Sequence, residues 1–304
     1  MQLFIDILQN SLDGIMVGAS YALLGLGFSL IFGVMRRLNL AFGPIILIGV
    51  FAGSTTQMLL PNQHLLTFVI TILMTMLAGV YVERLCFRPM RQGAALASMV
   101  SSFAIWMQLE EMVIQSPWSQ TYMYPFPPPF AMGSLEVGAF LIRTDYLFMW
   151  GSTVVLTLLL YGLIYRTRFG RTMRAVAHNA HAARMLGLNV HRIGFQAFLL
   201  ASAIGGLAGY LIAMSQQQVT PFFGLWATIK GLIAMIIGGM GSIPGAIVGG
   251  LLLGLVEIQA DWFLGSEFRE LVAYFLLFLF LIVKPGGLFG RPGGEDWESA
   301  AQRA

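Results

Sequence analysis

Long apolar runs alternate with short polar or basic segments along this chain. Residues 14–35 carry no charge; Asp6 and Asp13 precede them, and Arg36 and Arg37 follow. Further apolar stretches occur at residues 38–60, 65–82, 94–114, 146–165, 193–214, 224–240, 243–261 and 271–283. A helix needs about 20 largely apolar residues to cross the hydrocarbon of a bilayer, and each stretch supplies most of that length. Those at 224–240 and 243–261 are short and interrupted by glycine and proline. The pattern predicts an all-α polytopic membrane protein with eight or nine transmembrane helices, some of them discontinuous. A cleaved signal peptide would open on a basic stretch and have a shorter apolar core, so the first run reads as a retained span.

Composition narrows the class further. Of the 304 residues 57% are hydrophobic and 10% charged, against about 25% charged in soluble domains. A soluble enzyme, intrinsic disorder and a nucleic-acid partner are excluded on that ground. All but two of the 17 basic residues are arginine, and they gather in short segments between apolar runs, the distribution of cytoplasmic membrane loops. Residues 83–91 carry Arg84, Arg88 and Arg91, and residues 166–192 carry six arginines and no acid, so both segments are expected in the cytoplasm. Residues 115–145, with Pro125, Pro127, Pro128 and Pro129 among aromatics, become the main extracytoplasmic loop. Four further passes return the C-terminus, with Lys284 and Arg291, to the cytoplasm. The expected organisation is a transmembrane domain over residues 1–291 and a short polar cytoplasmic tail over residues 292–304.

The chain echoes itself once. Residues 43–49 and 243–249 place Pro44 and Pro244, and Gly49 and Gly249, at the same offset, with Gly33 before the first and Gly238, Gly239 and Gly241 before the second. Glycine- and proline-broken apolar segments at corresponding positions of two halves point to a path near the middle of the membrane, built from discontinuous helices.

Little in the chain carries catalytic chemistry. His178, His181 and His191 lie among arginines that disfavour a metal cation, His64 stands alone, and Cys86 has no base beside it, so neither a metal cluster nor a nucleophile is expected. Neither lysine follows a glycine-rich phosphate loop, so any ATP hydrolysis belongs to another subunit. Lys230 sits inside an apolar run, where two readings stand: a side chain reaching for the extracytoplasmic interface, or a pathway residue. Asn39 precedes the first broken segment and can serve freed backbone groups or a ligand. Glu257 and Asp261 are placed to meet Arg269 or an extracytoplasmic binding protein.

The basic loop has local order of its own. Asn179 is suited to cap a short helix over residues 180–186, and Gly187 to the left-handed position after it. Ala182, Met185 and Leu186 then share one face as an apolar ridge. Such a ridge fits a groove on another protein, while the surrounding arginines equally suit anionic lipid heads.

At this point the residues carry a resemblance. The stretch Arg166 to Arg174, followed by Ala182, Ala183, Met185, Leu186, Gly187 and Asn189, resembles the cytoplasmic coupling loop of permease subunits in branched-chain amino acid ABC importers of the LivH/LivM type. Blocks around Gly18 to Leu23, Ile31 to Val34, Asn39 to Gly43, Val82 to Pro89, Gly238 to Gly245 and Lys284 to Gly290 are similar to that family in the same order. The resemblance implies a permease subunit, not itself an enzyme, in a bacterial inner membrane. It implies a second permease subunit, homologous or identical, two cytoplasmic ATPase subunits that hold ATP and magnesium, and an extracytoplasmic substrate-binding protein. No cofactor is expected on this chain. Gly170, Arg171, Arg174, Ala182, Ala183, Met185, Leu186 and Gly187 are expected to couple to the ATPases. Asn39, Phe42, Gly43, Pro44, Lys230, Gly239, Gly241 and Pro244 are expected along the path. The expected cargo is a branched-chain or related amino acid, with aromatic acids, amides or urea as the alternative.

Two departures bear on these expectations. His181 stands where an acidic residue often precedes the two alanines, and Phe42 and Pro44 stand where the family commonly has His and an acid. Were that pair part of the path, its loss would favour a less polar or aromatic ligand. A secondary carrier or channel would instead use intramembrane carboxylates for ion coupling, and the acids here lie near span ends. A membrane-embedded enzyme would need His, Asp or Ser grouped at one cavity, a grouping the sequence does not display.

Overall fold

The computed structural model of the chain describes residues 2–89, 95–116, 123–126, 133–137 and 140–290. The expected tail over residues 292–304 lies outside them, as do Arg91 and Pro127 to Pro129 of the two predicted loops. Helices α1 (Gln2–Met35), α2 (Phe42–Leu59) and α3 (His64–Val82) come first, α3 running into a π-helical turn at Glu83–Phe87. Helix α4 (Ala95–Ile114) leads to short strands β1 (Tyr124–Pro125), β2 (Ser134–Val137) and β3 (Phe140–Arg143). There follow α5 (Thr144–Arg166), α6 (Arg168–His178), α7 (Ala180–Met185), α8 (Val190–Gln216) and strand β4 (Gln218–Val219). The chain closes with α9 (Phe223–Gly238), α10 (Ile243–Leu264) and α11 (Arg269–Val283).

Each of the nine predicted apolar stretches holds one helix. Six, namely α1, α2, α3 with its π-helical turn, α5, α8 and α10, are long and apolar enough to cross a membrane. Helix α4 carries Glu110 and Glu111 in its last turns, and α9 and α11 are apolar but only 16 and 15 residues long. Helix α1 begins well before the predicted span. Residues 2–13 contain neither glycine nor proline, and Gln9 Nε2 donates to Asp13 Oδ2 one turn on, at 3.1 Å. Helix α2 begins later than the apolar run, because Arg36 (φ 53°) ends α1 and residues 37–41 stay non-helical.

Helix α1 is the centre of the bundle, and its closest neighbour is α10. Gly14, Gly18 and Ala22 on α1 face Ala246, Gly250 and Gly254 on α10, two stripes of small residues at four-residue spacing. A Cβ on Gly18 would stand 2.8 Å from the Leu251 Cα, so the two backbones touch only because the side chains are absent. Close packing of this kind substitutes for the hydrophobic effect, which does not operate between helices in lipid. On the rim, Leu73 and Leu77 of α3, Leu158 and Leu159 of α5, and Phe275, Phe278 and Ile282 of α11 are exposed, an apolar belt suited to acyl chains.

The strands are minor. Strands β1 and β4 pair antiparallel, β2 and β3 form a hairpin, and both sit at the end of the bundle away from residues 166–192.

Candidate functional site

Two helices begin against each other inside the bundle. The Gly43 N–H, in the first turn of α2, donates to Thr228 Oγ1 at 3.1 Å, and the Thr228 hydroxyl donates to the Gly224 carbonyl at 2.8 Å in the first turn of α9. A Cβ on Gly224 would lie 3.2 Å from the Pro44 nitrogen, and one on Gly43 would run into the Gly224 carbonyl. Glycine at both positions sets the distance between the two helix starts. Pro44 is tolerated because the first turn has no partner for its missing N–H. The ends that meet here are those with unpaired N–H groups and the positive pole of the helix dipole.

Asn39 and Phe42 flank this junction. Phe42 is wholly buried, edge-on to Phe28 with ring centroids 4.7 Å apart, and fills the space left by Gly27 and Gly205. Asn39 is also buried; its Oδ1 accepts the Ala41 N–H at 3.1 Å, while its Nδ2 has no partner among the described residues. An unpaired buried amide costs about 1–3 kcal/mol, so stability alone does not account for it.

The second broken segment is a different structure. Gly239 (φ 110°) and Gly241 (φ 80°) form the turn from α9 to α10, Ser242 Oγ caps α10 by accepting the Gly245 N–H at 3.2 Å, and Pro244 follows in the first turn. Residues after α11 close over this turn: the Leu288 N–H donates to Ile237 O at 2.8 Å and the Phe289 N–H to Gly238 O at 2.9 Å. Gly239, Gly241 and Pro244 are therefore at the far end of α9 from Gly43 and Pro44. Fourteen residues of helix separate Gly224 from Gly238, about 21 Å at 1.5 Å per residue. The two prolines of the echo are not neighbours; the neighbour of Pro44 is Gly224.

Lys230 lies between these ends and belongs to a buried ionic network. Its Nζ donates to Glu257 Oε1 and, at 2.7 Å, to Glu270 Oε2. Glu257 Oε2 accepts from the Tyr21 hydroxyl at 2.8 Å and from Arg269 Nε at 3.2 Å, and Arg269 Nη2 reaches the Tyr21 oxygen at 3.1 Å. Lys230 and Glu257 are fully buried, and the network ties α1, α9, α10 and α11 together. Sequence reasoning brought Glu257 to Arg269 but missed Tyr21 and Glu270, whose only signals were a tyrosine in an apolar run and an acid at a helix start. A second pair was missed as well. Arg143 Nε and Nη2 hold the buried Asp145 carboxylate at 3.1 and 2.9 Å, and the Ser215 hydroxyl donates to the same group at 2.8 Å. Burial is the largest single influence on Arg143 and opposes its charged form, but the bond to Asp145 together with the charges of Tyr146, Asp145 and Asp13 outweighs it, so its pKa stands above the usual guanidinium value.

The basic loop folds into α6 and α7. Thr167 Oγ1 caps α6 by accepting the Gly170 N–H at 3.1 Å, and Gly170 lies where a Cβ would collide with the Ile164 carbonyl. Arg171 is exposed, and Arg174 stacks over the Tyr165 ring at 4.9 Å. Asn179 Oδ1 accepts the His181 and Ala182 N–H groups, both at 3.0 Å, and Gly187 takes φ 81°. Ala183 is buried and Ala182 exposed, while Met185 and Leu186 each expose 80% of their surface. Arg36, just after α1, donates to the Ala177 carbonyl at 3.2 Å and ties the loop to the core, while Arg37 donates to the Phe87 carbonyl at 3.2 Å and ties down the π-helical turn after α3.

Among the described residues no group of three or more His, Cys, Asp or Glu side chains is placed to hold a metal ion. The family described as "Branched-chain amino acid transport system / permease component" matches residues 10–282. The permease protein BraD of the high-affinity branched-chain amino acid transport system of Pseudomonas aeruginosa is 32% identical over 301 residues, 95% of this chain and 97% of the relative. The corresponding LivH of Escherichia coli K12 is 30% identical over 302 residues, 96% and 98% of the two chains. Among solved structures, an inward-facing metal-chelate type ABC transporter superposes with a TM-score of 0.52 at 16% identity, covering 90% of this chain and 85% of that one. That likeness concerns the fold.

Proposed function

The chain belongs to the permease component family of branched-chain amino acid transport systems, and from that premise we propose that it carries branched-chain or related amino acids inward. It is a multi-pass inner-membrane subunit of an ABC importer and not itself an enzyme. In the proposed assembly it pairs with a second permease subunit, homologous or identical. Two cytoplasmic ATPase subunits hold ATP and magnesium, and an extracytoplasmic protein delivers the cargo. The C-terminus is cytoplasmic in this reading, on the same side as residues 166–192.

The observation that carries the coupling role is the exposed pair Met185 and Leu186 on a capped helix of the basic loop. Two large apolar side chains held in water have a physical use when a partner's groove covers them. Gly170 and Arg174 hold α6 against α5, Arg171 stays exposed beside them, Ala182 and Ala183 build α7, and Gly187 ends it, so the ridge moves with its base. The path role is assigned to Asn39, Phe42, Gly43 and Pro44 at the α2–α9 junction, to Lys230 along α9, and to Gly239, Gly241 and Pro244 at its far end. Broken helices suit that role, because their freed backbone groups can serve a passing solute without exposure to lipid.

Co-expression with candidate ATPases tests the assembly. The wild-type chain should retain them through purification, and Leu186→Asp should release them; retention after that substitution would overturn the coupling assignment. Proteoliposomes containing the full assembly and its binding protein should take up leucine only with ATP inside the vesicle-equivalent cytoplasmic face. Uptake without ATP would favour a carrier instead.

A further inference from the structure

A second feature lies at the bundle end remote from residues 166–192. A cavity of about 220 Å³ opens between α1, the start of α5, the end of α8, α9 and the start of α11. Helix α5 runs 23 residues from this cavity to the basic loop, about 34 Å. The cavity therefore faces the side from which imported cargo arrives in the reading above.

Its walls are sorted by chemistry. Arg143 and Arg269 contribute two guanidinium groups, each fixed from behind by a buried carboxylate, Asp145 and Glu257 respectively. Of the five N–H donors on each guanidinium, two are used in the bonds described, and both side chains are partly exposed. The hydroxyls of Ser20 and Ser215 have their protons committed, to Val17 O at 2.6 Å and to Asp145 Oδ2 at 2.8 Å, which leaves oxygen lone pairs as acceptors. The rest of the wall is mixed, with Met149, Ile212 and Trp226 as its apolar part and Tyr21, Tyr146 and Gln216 adding polar groups.

The cations around the cavity are at least matched by acids. Arg143, Arg269 and Lys230 pair with Asp145, Glu257 and Glu270, and Asp13 also lies near Arg143. A free anion would upset that balance, whereas a neutral molecule carrying both signs would not. We propose that this cavity is a holding site for one zwitterionic amino acid, its carboxylate against Arg143 and Arg269, its ammonium toward the serine oxygens, and its apolar side chain against Met149 and Trp226. The volume admits a single small molecule, below the roughly 300–1,000 Å³ of pockets for larger ligands. Preorganised guanidinium forks favour a planar carboxylate, and the apolar wall selects an aliphatic or small aromatic side chain. The site rests on the import reading and gives its cargo a place in the bundle.

The wild-type assembly, without its binding protein, provides the test. It is treated with an arginine-selective dicarbonyl reagent and mapped by mass spectrometry, alone and with leucine, 4-methylpentanoate or isoamylamine. Leucine should protect Arg143 and Arg269 but not Arg171, and the two half-molecules, lacking the ammonium or the carboxylate, should protect far less. Arg269→Lys, which keeps charge and loses the fork, and Met149→Trp, which fills the cavity, should each weaken leucine binding about tenfold or more. Leucine that is imported by the assembly yet leaves both arginines unprotected would overturn the site and spare the import reading. Protection without ATP-driven uptake would do the reverse. Because the protection experiment uses the unaltered protein, a variant that fails to fold does not decide the outcome.

Discussion

Lys230 on α9 and Glu257 on α10, twenty-seven positions apart, form an ion pair with neither side chain open to solvent. Such a pair gains from attraction what each charge loses by leaving water, and the loss reappears when one partner is removed. Lys230→Met leaves Glu257 with Arg269 and Tyr21 alone, and should destabilise the protein by about 3–5 kcal/mol. Adding Glu257→Leu should restore part of that, since the remaining charges, Arg269 and Glu270, reach solvent. Thermal unfolding of the two single variants and the double variant in detergent measures the coupling, and purely additive losses would contradict the pairing.

Glycines in this chain differ sharply in what surrounds them. Gly43→Ala drives a methyl group into the Gly224 carbonyl, a backbone atom that cannot turn aside, and should sharply reduce the yield of folded protein. Gly151→Ala, in the middle of α5 with open space around it, should raise stability by about 0.5–1 kcal/mol. Melting temperatures of the two variants should move in opposite directions.

Asn39 combines a cost in stability with a place at the helix junction. Asn39→Leu removes the orphan Nδ2 and also the bond from Oδ1 to the Ala41 N–H. The two effects oppose each other and are of similar size, about 1–3 kcal/mol each, because the buried Ala41 N–H is left unpaired in its turn, so stability should change little. Uptake by the reconstituted assembly should nevertheless fall if the amide serves the path. Equal uptake by both forms would remove Asn39 from it.

The coupling segment offers a prediction about local rather than global order. Asn179→Ala deletes both capping bonds of α7 and should cost that helix about 1 kcal/mol. Gly187→Val forces a branched side chain into φ 81° and should unwind the same turn from its other end. Both variants should weaken retention of the ATPases while the melting temperature of the isolated permease stays within a degree or two of wild type, roughly the size expected of a surface change.

What could be read along the chain was what depends on neighbours in sequence. The number and place of the apolar helices follow from hydropathy, and the Asn179 cap and the Gly187 stop follow from bonds spanning three residues or fewer. The late start of α2 was not legible, because residues 38–41 are apolar enough to continue a helix and only contacts such as the Leu40 N–H with Ser102 Oγ hold them otherwise. Nor was the meeting of Gly43 with Gly224, since an internal echo pairs similar segments and not the ones that touch.

The amino-acid sequence alone determined a helical membrane protein, the order of its apolar helices and the basic loop, because the cost of burying backbone and charge in hydrocarbon acts on each segment separately. Tertiary structure decided which polar groups meet. Tyr21 and Glu257 are 236 positions apart, and they touch because two stripes of small residues let α1 and α10 close on each other and turn the network inward. Hydropathy is blind to the rotation of a helix about its axis, and that rotation, set by packing, gathers scattered charges into one network and leaves a cavity beside it.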